Sequence, residues 1–236
     1  HVQGGMGYMI AQTLTNELAR RGRERMVTTI ITTVLVDRDD PSFANPTKPI
    51  GRVLTREEAE GYQRDQGWHV KEISPGTYRR IVASPQPQRI MELETIRRAV
   101  EAGDLLVASG GGGVPVVRDP EKGLRGIRAI IDKDLSSAML ATGIRADTIM
   151  FLTNVERISI NFGKPDQREI ESMTVAEAQS YLDQGQFPDG SMGPKVQGAI
   201  NFLRDAENPD AVAIICHLFH AADALAGRTG TRIVKE

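Results

Sequence analysis

Leu105-Leu106-Val107-Ala108-Ser109-Gly110-Gly111-Gly112-Gly113 is a short apolar run that ends in four glycines. A run of this kind bounded by a breaker reads as a buried strand. The bare backbone that follows can approach an anion closely and offer it several N–H groups, although a flexible turn is the plainer reading. Neither a Walker A loop nor a dinucleotide fingerprint is present, because no Gly-Lys-Ser/Thr closes the run and its spacing differs.

Working outward, a helix is predicted from about Glu92 to Ala102, stopped by Gly103, and two short strands bracket the turn Asp119-Pro120-Glu121-Lys122-Gly123. A helix starts near Asp134, carries Leu135, Met139 and Leu140 on one face and ends at Gly143. Thr148 to Thr153 reads as a strand, Thr174 with Glu177 caps a further helix, and Pro194 opens another. Ala211 to Cys216 is the last strong strand. Upstream, Met6, Met9, Ile10, Leu14 and Leu18 line one face of a helix that Gly22 stops, and Met26 to Val36 reads as one strand. Strands that alternate with helices predict an α/β fold, a mainly parallel open sheet covered by helices on both faces.

The texture changes between residues 37 and 87, where six prolines punctuate the chain. A capping box at Thr55 and Glu58 and a terminal Gly67 mark one helix, and Trp68 to Ile73 and Tyr78 to Val82 form a strand pair around Pro75-Gly76. The expected organisation is a main domain of residues 1–36 and 88–236 with a small protruding α+β subdomain over 37–87.

With 236 residues, 40% apolar and 25% charged, the chain can bury a sizeable core. A net charge of -2 leaves no basic footprint for nucleic acid or an anionic membrane surface, so small molecules are the expected partners. The single cysteine, Cys216, cannot form an internal disulfide, which predicts a reducing, cytoplasmic setting. No apolar stretch approaches the roughly 20 residues that span a bilayer. Helical periodicity begins almost at once after His1, so the expectation is a chain that lacks the front of its fold.

Seven of the 29 basic residues are lysines, and three of these stand among small, rigid or acidic neighbours. They are Lys48 in Pro46-Thr47-Lys48-Pro49, Lys133 in Ile131-Asp132-Lys133-Asp134, and Lys195 in Ser191-Met192-Gly193-Pro194-Lys195. Each can place a compact ammonium on a phosphate, and phosphoryl transfer needs mainly such positioning and neutralisation. The alternatives are a helix N-terminus with a local ion pair at Asp132-Lys133-Asp134 and a solvated first-turn charge at Lys195. Asn161 to Asp166 reads as a shaped loop or a surface turn. His217 and His220 are too few for a metal site without a carboxylate or thiolate at ligand spacing, and core or surface histidines are the expectation.

Together these segments resemble the carbamate kinases of the amino acid kinase family. The resemblance rests on Gln3 to Tyr8, Asn45 to Gly51, Ala108 to Val116, Ile131 to Asp134, Leu152 to Val155, Asn161 to Gln167, Gly185 to Lys195 and Gly230-Thr231. It implies reversible, direct in-line phosphoryl transfer between ATP and carbamate, giving ADP and carbamoyl phosphate, with Mg2+ on the nucleotide and a homodimer as the unit. Carried onto this chain, it implies that Lys48 lies in the lid and reaches the acid substrate, and that Lys133 and Lys195 neutralise the transferring group. Asp134 would hold the lysines, and Gly110, Gly111, Gly112 and Gly113 would cradle the substrate's oxygens. Thr153, Asn154 and Val155, with Met192 and Gly193, would belong to the nucleotide pocket. The family's leading glycine-rich segments are absent, and its Leu-Thr-Asp-Val signature reads Leu152-Thr153-Asn154-Val155. Those departures motivate a second expectation, a nucleotide-binding or regulatory protein without efficient catalysis. Aspartate, glutamate and acetylglutamate kinases share the expected sheet, but the Pro46 to Gly51 segment argues against them.

Overall fold

The computed structural model describes residues 2–188 and 190–236. His1 and Asp189, the latter inside the 185–195 segment, lie outside the described residues. The chain begins with α1 (Val2–Arg20), β1 (Val27–Thr29) and β2 (Thr33–Val36). It continues through β3 (Lys48–Leu54), α2 (Arg56–Gln66), β4 (Val70–Ser74) and β5 (Thr77–Val82). Next come β6 (Pro87–Ile90), α3 (Leu93–Glu101), β7 (Leu105–Val107), β8 (Val114–Asp119), β9 (Gly123–Gly126) and α4 (Lys133–Gly143). The second half holds β10 (Thr148–Thr153), β11 (Ile158–Ile160), β12 (Arg168–Ile170), β13 (Ser172–Thr174), α5 (Val175–Asp183) and α6 (Met192–Asp205). It closes with β14 (Val212–His217), α7 (Ala221–Leu225) and β15 (Thr231–Val234).

The fold is mixed α/β. β1 pairs in parallel with β7, β2 with β8, β10 with β14 and β13 with β15. Antiparallel partners flank β2 and β8, giving the order β6-β2-β8-β9, while the second four-stranded sheet runs β10-β14-β15-β13. Alternation decides what each face of β14 meets. Ala213 and Ile215 join Ile149 and Phe151 of β10 and Val196, Ala199, Ile200 and Leu203 of α6 in the larger core. Val212, Ile214 and Cys216 point the other way and pack with Ala224 of α7, so this strand is covered by helices on both faces.

β3, β5 and β4 form a three-stranded sheet of their own with α2 beside it. The Thr55–Glu58 capping box forms as expected, and Gly67 closes α2 in a left-handed conformation with φ 64°. Tyr62 and Trp68 stack at 4.3 Å, and Arg80 lies over the Trp68 ring at 4.4 Å, so aromatic contacts replace a large aliphatic core here.

Two expectations need correction. The strand expected over 26–36 is broken at Ile30 to Thr32, because three extra residues on the partner side, within 108–113, loop out between Val107 and Val114. Gln3 meets the interrupted strand instead: its Oε1 accepts from the Thr32 amide at 2.9 Å and its Nε2 donates to the Thr32 carbonyl at 3.3 Å. The apolar face expected of α1 is mostly outside: Met6 and Met9 are 58% and 65% exposed, Leu14 and Leu18 are only half-buried, and Gly7 is the buried residue.

Close backbone approach sets where α4 begins and what it meets. A Cβ on Gly112 would lie 2.3 Å from the Ile131 carbonyl oxygen, so the glycine loop seats directly against the irregular segment that leads into α4. A Cβ on Gly198 would lie 2.9 Å from the Asp134 carbonyl oxygen and 3.1 Å from Phe151 Cζ. Alanine would normally favour an exposed helix interior by about 1 kcal/mol over glycine. Here the contact is with backbone, which cannot swing aside, so Gly198→Ala should instead destabilise by about 1–3 kcal/mol, seen as a lower denaturant midpoint. A neutral or raised midpoint would refute this account of the α4–α6 crossing.

Candidate active site

Asp132 stands just before α4 and caps it. Its Oδ1 accepts from the amides of Asp134 at 2.9 Å and Leu135 at 3.4 Å, which satisfies two of the donors that every helix start leaves open. Its Oδ2 accepts from Lys48 Nζ at 2.5 Å, so a strand of the three-stranded sheet reaches across 84 residues of sequence to the start of α4. Burial raises the proton affinity of Asp132, but the Lys48 hydrogen bond and charge and the two amides outweigh it and leave the carboxyl below its usual value of 3.8.

Asp134, two residues on, is 6% exposed and accepts from Lys195 Nζ at 2.8 Å; Lys195 is 7% exposed. Lys133 Nζ lies 3.6 Å from the same carboxylate, on a side chain that is mostly exposed. Lys195 belongs to the first turns of α6, a 14-residue helix whose unpaired amides and dipole favour a negative group at this end.

Lys48, Asp132, Lys133, Asp134 and Lys195 line one cavity of about 360 Å³. Thr153, Asn154 and Val155 from the end of β10 line it too, as does Met192 at the start of α6. Gly193 is buried beside that wall, with its amide donating to Pro188 O at 2.9 Å. The glycine loop lies elsewhere: Gly110, Gly111 and Gly113 line a second, largely apolar cavity with α1, and Gly112 packs against Ile131. The loop is tied to α4 by buried hydroxyls, since Ser109 Oγ and Ser136 Oγ are 2.6 Å apart and the Ser109 amide donates to Thr32 Oγ1 at 2.7 Å.

The reading of α4 as a helix N-terminus with a local ion pair holds, because Asp132 caps the helix and Lys133 lies against Asp134, and Lys48 and Lys133 line the cavity as well. Sequence reasoning did not single out Asp132 as the Lys48 partner, nor Arg157, Gln186 and Phe187 as cavity walls. The only signal for Asp132 was its cap position; Arg157, one of many arginines, carried none.

An α/β fold that converges ammonium groups, two buried carboxylates and a helix N-terminus on one cavity defines a phosphotransferase. Residues 11–215 match the amino acid kinase family. The chain is 45% identical to a carbamate kinase of Clostridium perfringens over 233 residues, 99% of this chain and 73% of that protein. It is 46% identical to a carbamate kinase of Thermoplasma acidophilum, over 99% of this chain and 74% of that one. A carbamate kinase from Giardia lamblia bound to AMP-PNP superposes with a TM-score of 0.86 at 37% identity, covering 99% of this chain and 73% of the other. The chain therefore belongs to the amino acid kinase family, among its carbamate kinases.

A carboxyl held below its usual pKa contributes stability that is present above about pH 3.8 and is lost as the pH falls through the lower folded-state value. Thermal unfolding of the wild-type protein should show this loss on acidification, and Asp132→Asn should lack it. Equal acid slopes for the two proteins would contradict the Lys48–Asp132 link.

Proposed function

We propose that this chain catalyses reversible phosphoryl transfer between ATP and carbamate, giving ADP and carbamoyl phosphate. The observation that carries the reading is the meeting of Lys48, Lys133 and Lys195 with Asp132 and Asp134 on one cavity. A carbamate oxygen attacks the γ-phosphorus, the bond from that phosphorus to the ADP oxygen breaks, and the equatorial oxygens carry the spread charge. Lys195 and Lys133 neutralise that charge from the α6 and α4 sides, while Lys48 meets the acid substrate from the lid, residues 37–87. Asp134 orients Lys195 and Lys133, and Asp132 orients Lys48. All act by position and charge, with no covalent intermediate on the protein.

Thr153, Asn154 and Val155, with Met192, form the nucleotide side of the cavity, and Gly193 backs that wall from behind. Asn154 is exposed and keeps a hydrogen-bonding carbonyl where the family signature has a carboxylate. The Gly110 to Gly113 loop steadies the α4 start through Gly112 and Ser109, and its part is structural, since it lines a different cavity from the lysines. Both buried carboxylates of the cavity already hold lysines, so Mg2+ fits as an ion carried by the nucleotide phosphates rather than in a protein cage. When bound, it neutralises charge on those phosphates. The exposed apolar residues of α1 suit a homodimer contact, and the buried Cys216 suits a reducing cytoplasm. Among the described residues, no helix is long and apolar enough to cross a membrane.

The test is ATP formation from ADP and carbamoyl phosphate in a coupled assay. Lys195→Ala should lower kcat by about 10²-fold or more, with Lys48→Ala and Lys133→Ala also impaired. Background rates in the wild-type protein, or an unchanged rate in Lys195→Ala, would refute the assignment.

A further inference from the structure

His217 ends β14 and lies directly across the parallel ladder from Thr153 of β10. His220 follows in a short 3-10 turn, and its Nδ1 lies 2.5 Å from Glu156 Oε1. Glu156, between the cavity-lining Val155 and Arg157, is the carboxylate that the sequence pattern lacked, 61 residues before the first histidine. One donor atom from each of Glu156, His217 and His220 falls within 4.8 Å of the others. An ion with bonds of about 2.0–2.2 Å draws its ligands to within about 3.5 Å of one another, a closure that side-chain rotation on this open surface supplies.

The geometry points to a binding site for a divalent transition metal of the zinc type, formed by Glu156, His217 and His220 on the rim of the nucleotide cavity. Two imidazoles and one carboxylate with an open fourth position suit zinc and its neighbours, whereas magnesium and calcium favour all-oxygen surroundings. A supporting contact is already in place, since Thr229 Oγ1 donates to Glu156 Oε2 at 3.2 Å and fixes the carboxylate. The competing contact is the Phe219 amide donating to His217 Nδ1 at 3.3 Å, a long hydrogen bond that ligation gives up. A bound ion ties the segment after β10, which carries Thr153, Asn154 and Val155, to the end of β14. Its effect would therefore be felt on nucleotide binding, whatever acid is phosphorylated.

The site is tested by calorimetric titration of the protein with zinc chloride near neutral pH and without nucleotide, a readout independent of the kinase assignment. One saturable equivalent is expected. His217→Ala, His220→Ala and Glu156→Gln should each weaken it by about tenfold or more. No saturable binding, or binding of equal strength in the His217→Ala and His220→Ala proteins, would overturn the proposal.

Discussion

The arrangement depends on one buried ion pair, Lys195 against Asp134, at 2.8 Å with both side chains 9% exposed. Removing two charges from water costs several kcal/mol for each ion, and a well-packed apolar pair would stabilise the fold as well or better. The pair is therefore not where stability comes from. It holds the Lys195 side chain in a fixed position on the cavity wall, the kind of preorganised group that the proposed phosphoryl transfer calls for. Losing Asp134 would leave Lys195 buried without its carboxylate, and losing Lys195 would leave Asp134 only the more exposed Lys133 at 3.6 Å.

That pair exists only because two helices start close together. Gly198 lets α6 lie against the Asp134 carbonyl, and Gly112 lets the glycine loop lie against Ile131, so both approaches to the α4 start are backbone contacts with no side chain between them. The capping carboxylate of Asp132 then serves twice, holding the first amides of α4 with one oxygen and Lys48 with the other. Through Lys48 the three-stranded sheet β3-β5-β4 is linked to the cavity, and the Tyr62–Trp68 stack and the Arg80 contact pack beside it. Structure and electrostatics thus share the same few residues.

Much of this was legible in the residues. Capping boxes at Thr55–Glu58 and Thr174–Glu177 announce helices because their signal is local, with donor and acceptor three residues apart. Lys48, Lys133 and Lys195 stood out by their neighbours, and all three line the cavity. Less visible was the break in the strand at Ile30 to Thr32, since its cause is the extra length of a loop near residue 110, and Gln3, 29 residues from Thr32, bonds the interrupted backbone. The exposed face of α1 was missed because periodicity reports an apolar stripe without saying what covers it. The glycine run was legible as a close-approach segment but not as one that faces a different cavity from the lysines.

By itself the sequence determined the α/β class, the capped helices, the three lysines and, through its resemblance, the carbamate kinase family. These follow from short-range chemistry: propensity, caps, period and residue type. Only the tertiary structure decided that Lys48 meets Asp132, that Lys195 reaches Asp134 across the two helix starts, and that Glu156 lies beside His217 and His220. Those pairings span 61 to 84 residues of chain, and nothing in local chemistry encodes a contact that exists only once two sheets and their helices have packed.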